Sequence, residues 1–93
     1  MIISTIKEGI KVVTGFVLMQ VSPLKESEIL KKLLKIKEIT ELVPLFGEYD
    51  LIAKIEAVDY EHLGEIVIQK IRTIDGITHT KTLTKIKLHQ TGD

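Results

Sequence analysis

The sequence predicts an α+β fold of the ferredoxin-like kind, βαββαβ, in which a four-stranded antiparallel sheet carries both helices on one face. Three observations lead there. Residues 51–57 alternate, with Leu51, Ala53 and Ile55 on one side and Ile52, Lys54 and Glu56 on the other, the period of a half-buried strand. Stretches 26–35 and 60–74 instead space their apolar residues for one face of a helix. Residues 15–21 are apolar on both faces and too short for a good helix, which fits a strand covered on both sides.

Taken in order, residues 1–13 admit two readings and form an N-terminal extension to a domain at 14–88. Ile3, Ile6, Ile10 and Val13 fit one helix face, whereas Ile10 and Val12 flank Lys11 as in an edge strand, and Gly9 weakens both. After the strand at 15–21, Ser22 is placed to cap a helix and Pro23 suits a first helical position. In helix 26–35 the stripe is Ile29, Leu30, Leu33 and Leu34, opposite Glu28, Lys31, Lys32 and Lys35. Strand 39–46 contains Pro44, which cannot donate to a ladder and marks an edge or bulge. Gly47 to Asp50 suit a tight hairpin, with Gly47 free to take positive φ and Asp50 able to accept from nearby backbone N–H groups. Asp59 is an N-cap, with Val58 and Leu63 spaced as a hydrophobic staple. Tyr60, Leu63, Ile66, Val67, Ile71 and Ile74 form the second helical stripe, and Gly76 is its left-handed cap. A last strand at 77–88 sets Thr78, Thr80, Thr82 and Thr84 on one face, and 89–93 is a tail.

Ninety-three residues allow one domain, and so small a domain buries a limited share of its surface, so association would help it. Two helices cover one face of the sheet only. The doubly apolar strand at 15–21 therefore implies a sheet-to-sheet homodimer. Thirteen basic residues balance thirteen acidic ones, which argues against a nucleic-acid binder and gives no reason to expect a membrane partner. The absence of cysteine excludes disulfides, thiolate metal sites and cysteine nucleophiles and fits a reducing compartment. With no apolar run of transmembrane length and no signal-peptide pattern at the N-terminus, the chain reads as a soluble cytoplasmic protein.

Catalytic and metal-binding patterns are absent. His62, His79 and His89 have no metal-ligand spacing, the glycines form no phosphate-cradling loop, and no serine has the flanks of a nucleophile elbow. Neither a cofactor nor a metal is expected. The lysines of 25–37 are interleaved with Glu26, Glu28 and Glu38 and read as a solvated face with intrahelical ion pairs. Binding chemistry concentrates at Gly47 to Asp50. Backbone N–H groups at a glycine turn can meet an anion, Asp50 can accept from an ammonium, and the hydroxyls of Thr80 and Thr82 can donate. Residue types alone favour a plainer account: a glycine for the turn, an aspartate bonded to its own backbone, and threonines suited to a strand.

Gly47-Glu48-Tyr49-Asp50-Leu51-Ile52-Ala53-Lys54-Ile55-Glu56 resembles the Gly-x-Tyr-Asp strand of the ligand-binding (RAM) domain of the Lrp/AsnC family of archaeal and bacterial transcription regulators. Gly15-Phe16-Val17-Leu18, Ile71-Arg72-Thr73-Ile74-Asp75-Gly76-Ile77 and Thr80-Lys81-Thr82-Leu83 agree with it in the same order, over about 14–88. The resemblance implies an amino-acid effector bound around this loop and the final strand, where dimers meet in rings of up to an octamer. It reverses the preference at the loop. Gly47 and Tyr49 are then expected to make backbone contacts, Asp50 to take the amine or pin the loop, and Thr80 or Thr82 to take the carboxylate. Tyr49 fits equally an assembly role against a neighbouring dimer, and Leu45 is a candidate for side-chain selectivity. With no room in the sequence for the family's helix-turn-helix, the stand-alone form of the domain is expected, acting on a full-length Lrp/AsnC regulator without direct nucleic-acid binding.

A competing reading is a cofactor-free enzyme of monooxygenase or isomerase type, since dimeric α+β barrels also house such activities. It would need a closed pocket holding His79 or Tyr60. A third is a structural adaptor without a ligand.

Overall fold

The computed structural model describes residues 12–86. The chain runs through β1 (Val13–Val21), a 3-10 turn (Pro23–Lys25), α1 (Glu26–Leu33), β2 (Ile39–Pro44), β3 (Leu51–Ala57), α2 (Tyr60–Ile66) with a π-helical continuation (Val67–Ile71), and β4 (Ile77–Thr84). The strands make one antiparallel sheet in the order β2-β3-β1-β4. This is the ferredoxin-like architecture expected from the alternation and the two helical stripes.

Burial assigns the faces. Val17 and Met19 of β1 and Leu51, Ala53 and Ile55 of β3 are fully buried, in one cluster with Ile29 and Leu33 of α1 and Leu63, Ile66 and Ile71 of the second helix. Strand side chains alternate, so Phe16, Leu18 and Ile52 lie on the opposite face, where they are only half-buried. Val43 and Leu83, paired beside Ile52 and Phe16, are 38% and 47% exposed there. The apolar character of β1 on both faces thus has a structural counterpart.

Asp59 caps α2, accepting from the His62 N–H at 2.8 Å. Other local expectations are corrected. The first helix ends at Leu33 rather than at residue 35, because the chain turns to pack Ile36 against the core and leaves Leu34 71% exposed. Ser22 makes no side-chain cap; its backbone N–H is held by the Gly76 carbonyl at 2.7 Å. Val58, expected to staple onto buried Leu63, is 64% exposed. The second helix stops at the Arg72 cap, and Arg72 N donates to Val67 O at 2.8 Å, five residues back, as a π turn requires. Gly76, at φ +101°, therefore shapes the turn into β4 and not the helix end. Strand 39–46 stops at Pro44, so the hairpin is the six-residue loop 45–50. The last strand ends at Thr84, while residues 87–88 and the 89–93 tail with His89 lie outside the described residues, as do 1–11.

The ion pairs around Lys25 to Glu38 run between elements, not along the helix. Lys25 pairs with Asp75 of the turn before β4, and Lys70 reaches both Glu38 oxygens at 3.1 Å. Burial pushes the Glu38 carboxyl up, but the Lys70 hydrogen bond, the residue's own backbone N–H and the Lys70 charge outweigh it and hold the group below the ordinary carboxylate range. A depressed folded-state value contributes stability at neutral pH that is lost as pH falls through the carboxylate range. Glu38→Gln is therefore expected to lower the melting temperature near neutrality, and the gap to the wild type to narrow as pH falls through the carboxylate range. A gap independent of pH would remove the Lys70 pair as its cause.

Candidate ligand site

The site elements gather at the edge where the 45–50 loop meets the ends of β1 and β4. Gly47 adopts φ +141°, and no atom lies within 4 Å of the place a Cβ would take, so glycine is needed there for conformation and not for space. The loop then folds back onto β1. Leu45 N donates to Asp50 O and Asp50 N to Met19 O, both at 2.8 Å, while Gln20 Nε2 donates to Glu48 O at 2.9 Å. Tyr49 stacks on His79 of β4, ring centroids 6.1 Å apart and 25° from parallel. Phe46 stands fully exposed at the tip.

The Asp50 carboxylate does not bond its own neighbourhood in sequence. Its Oδ2 accepts from Val21 N–H at 2.9 Å, across 29 residues, and Oδ1 has no hydrogen-bond partner among the described residues. Val21 is 8% exposed, so removing the acceptor strands a donor with little access to water. Asp50→Ala should cost about 1–3 kcal/mol in urea unfolding, and Asp50→Asn, which keeps an oxygen in place, distinctly less. Wild-type stability for the alanine variant would rule out the pinning contact.

Thr80 and Thr82 lie elsewhere. They pair with Met19 and Val17, so they face the helix side of the sheet, whereas His79 and its Tyr49 partner belong to the open side. A bulge between Gln20 and Val21 takes Thr78 out of that row, and its hydroxyl donates to Gln20 O at 3.2 Å. The structure thus brings Gly47, Tyr49 and Asp50 together on one loop and sets Thr80 and Thr82 on the other face of the same sheet edge.

Between β4 and the second helix runs a cleft of about 480 Å³ bounded by Thr78, His79, Thr80, Thr82, Arg72, Val67 and Ile77. Val67, Arg72 and Thr82 also border its extension of about 270 Å³ toward Tyr60, Gly64 and Ile68. Arg72 and Gly64 were not among the residues expected from sequence. The available signal was that Arg72 is the single arginine among thirteen cationic residues. His79, its ring stacked on Tyr49, borders the larger volume, but both volumes are open to solvent, unlike the closed pocket that a cofactor-free enzyme would need. Among the described residues no three His, Asp or Glu side chains are grouped to hold a metal ion, and no helix is long and apolar enough to cross a membrane.

The architecture is thus a one-sided α+β sheet with a pinned glycine loop and an open cleft at one edge. Residues 14–90 match the sequence profile of the Lrp/AsnC ligand binding domain. An HTH-type transcriptional regulator of Pyrococcus furiosus is 36% identical over 73 residues, covering 75% of this chain and 49% of the regulator. The chain spans about half the length of the curated relatives it matches. Among solved structures, FFRP-DM1 is 39% identical with a TM-score of 0.75 over 80% of this chain and 99% of its own, and Escherichia coli AsnC is 28% identical with a TM-score of 0.78 over 90% and 56%. The chain belongs to the Lrp/AsnC family through this ligand-binding domain. The relatives are transcriptional regulators, and the matched unit is their ligand-binding part rather than an enzyme.

Proposed function

We propose that this chain is an amino-acid effector-binding and oligomerisation module that acts in the cytoplasm on a full-length Lrp/AsnC regulator. The observation that carries the reading is the open sheet face, where Phe16, Leu18, Ile52, Val43 and Leu83 lie opposite both helices with Glu41, Lys54 and Lys81 set among them. Such a face is stabilised by a second copy packed against it, sheet to sheet. The loop of Gly47, Tyr49 and Asp50 and the hydroxyls of Thr80 and Thr82 then both lie at the rim of the pair. Because they belong to opposite faces of one edge, an effector held by both draws the loop from one subunit and the threonines from another. Its binding free energy adds to the contact it bridges, so effector concentration sets the degree of assembly, up to rings of dimers or mixed assembly with the regulator.

Calorimetric titration with each of the twenty amino acids, with light scattering alongside, tests the reading. At least one amino acid should bind and change the mass of the assembly, and Thr80→Val with Thr82→Val should weaken it. No heat from any amino acid together with no change in mass would overturn the proposal.

A further inference from the structure

The cleft on the helix side of β4 has two arms of different chemistry that meet at Arg72, Val67 and Thr82. One arm is polar. Thr80 and Thr82 offer hydroxyls along it beside His79, and the Arg72 guanidinium, with no ion pair or side-chain hydrogen bond among the described residues, supplies its only permanent charge. The other arm is apolar, floored by Leu63 and Val67 and flanked by exposed Ile68 and half-exposed Tyr60. It stays open because α2 carries Gly64 there, with no atom within 4 Å of the position a Cβ would take. Neither arm is bordered by an aspartate or a glutamate.

We propose that this cleft binds an aliphatic carboxylate without an ammonium group, with a branched-chain 2-oxo acid as the fitting class. The Arg72 fork takes the carboxylate through two parallel hydrogen bonds, a geometry that suits guanidinium better than a lysine ammonium. The Thr80 and Thr82 hydroxyls donate to the 2-oxo oxygen. The branched tail lies along the Gly64 arm, where it loses contact with water. An ammonium in the same position would sit beside the Arg72 charge with no carboxylate in the cleft to receive it, so one subunit alone favours the oxo acid over the amino acid of the same skeleton. The inference rests on the proposed ligand-binding role of Thr80 and Thr82 and adds a ligand class to it. A transamination interconverts the two ligands, so such a domain would read both sides of one reaction, the amino acid between subunits and the oxo acid within one.

The test is titration calorimetry of the whole chain with 4-methyl-2-oxopentanoate, pyruvate and leucine. Wild-type protein should bind the branched oxo acid, and Arg72→Gln should weaken it about 10- to 100-fold, with partial recovery in Arg72→Lys. Gly64→Leu, which places a better helix former over the apolar arm, should weaken the branched oxo acid at least about tenfold and leave pyruvate unchanged. No binding of the branched oxo acid, or binding indifferent to Arg72→Gln in a variant that melts like the wild type, overturns the inference. Leucine binding without oxo-acid binding leaves the proposed function standing and removes this addition to it. Oxo-acid binding that depends on Arg72, without binding of any amino acid, does the reverse.

Discussion

Gly76→Ala is expected to lower unfolding stability by roughly 2–6 kcal/mol, a large part of the 5–15 kcal/mol of an ordinary domain. Two costs combine. At φ +101° an L side chain is strained, and the added Cβ would lie 2.8 Å from Cδ1 of Ile29, which is fully buried, and 3.0 Å from Lys25 Cβ. The same turn accepts the Ser22 N–H at the Gly76 carbonyl and presents Asp75 to Lys25, so relaxing it also loosens the start of β4. Gly15→Ala is the control. Its Cβ would meet Leu63 Cδ2 at 2.7 Å, but no unusual φ is involved, so only the overpacking cost of about 1–3 kcal/mol applies. Urea unfolding of both variants separates the two costs. Equal losses would mean that overlap alone, and not backbone conformation, makes Gly76 necessary.

Leu18→Asp is expected to leave the subunit folded and to abolish its pairing. Leu18 is half-buried on the open face, between Ile52 of β3 and Lys81 of β4, while its chain neighbours Val17 and Met19 occupy the core side. A carboxylate sealed between two sheets loses its hydration, and its attraction to Lys81 across the strand does not repay a desolvation cost of several kcal/mol. Each 1.4 kcal/mol is about a factor of ten, so the dimer dissociation constant should rise at least about 100-fold. Sedimentation should then report monomers with an unchanged far-ultraviolet spectrum. A variant that keeps the wild-type mass would move the assembly surface away from this face and undo the site proposed between subunits.

Local patterning was legible where a single element answers to its own neighbours. The alternation of 51–57 returned β3 residue for residue, and Asp59 caps α2 as its position implied, since both depend on backbone groups a few residues away. The fold class followed from the order of such elements, and the family resemblance from the Gly47-Glu48-Tyr49-Asp50 motif and the shorter matching stretches around it. Boundaries were less legible: Leu34 fits the helical stripe by spacing but loses its place to Ile36, because the turn after α1 and not the period decides which side chain reaches the core.

The candidate site was legible as a set of residues and not as an arrangement. Asp50 pairs with the backbone of Val21, Tyr49 with the ring of His79, and Arg72 borders the same cleft as Thr82, contacts that join separate elements. No periodicity contains them, because they depend on the register of β4 against β1 and on the bulge beside Gln20. A one-residue change in that register would send Thr80 and Thr82 to the open face. Propensity and hydrophobic period therefore decided which elements exist and which of their sides is apolar. Strand pairing and helix packing, which act between residues far apart in the chain, decided which side chains share a space.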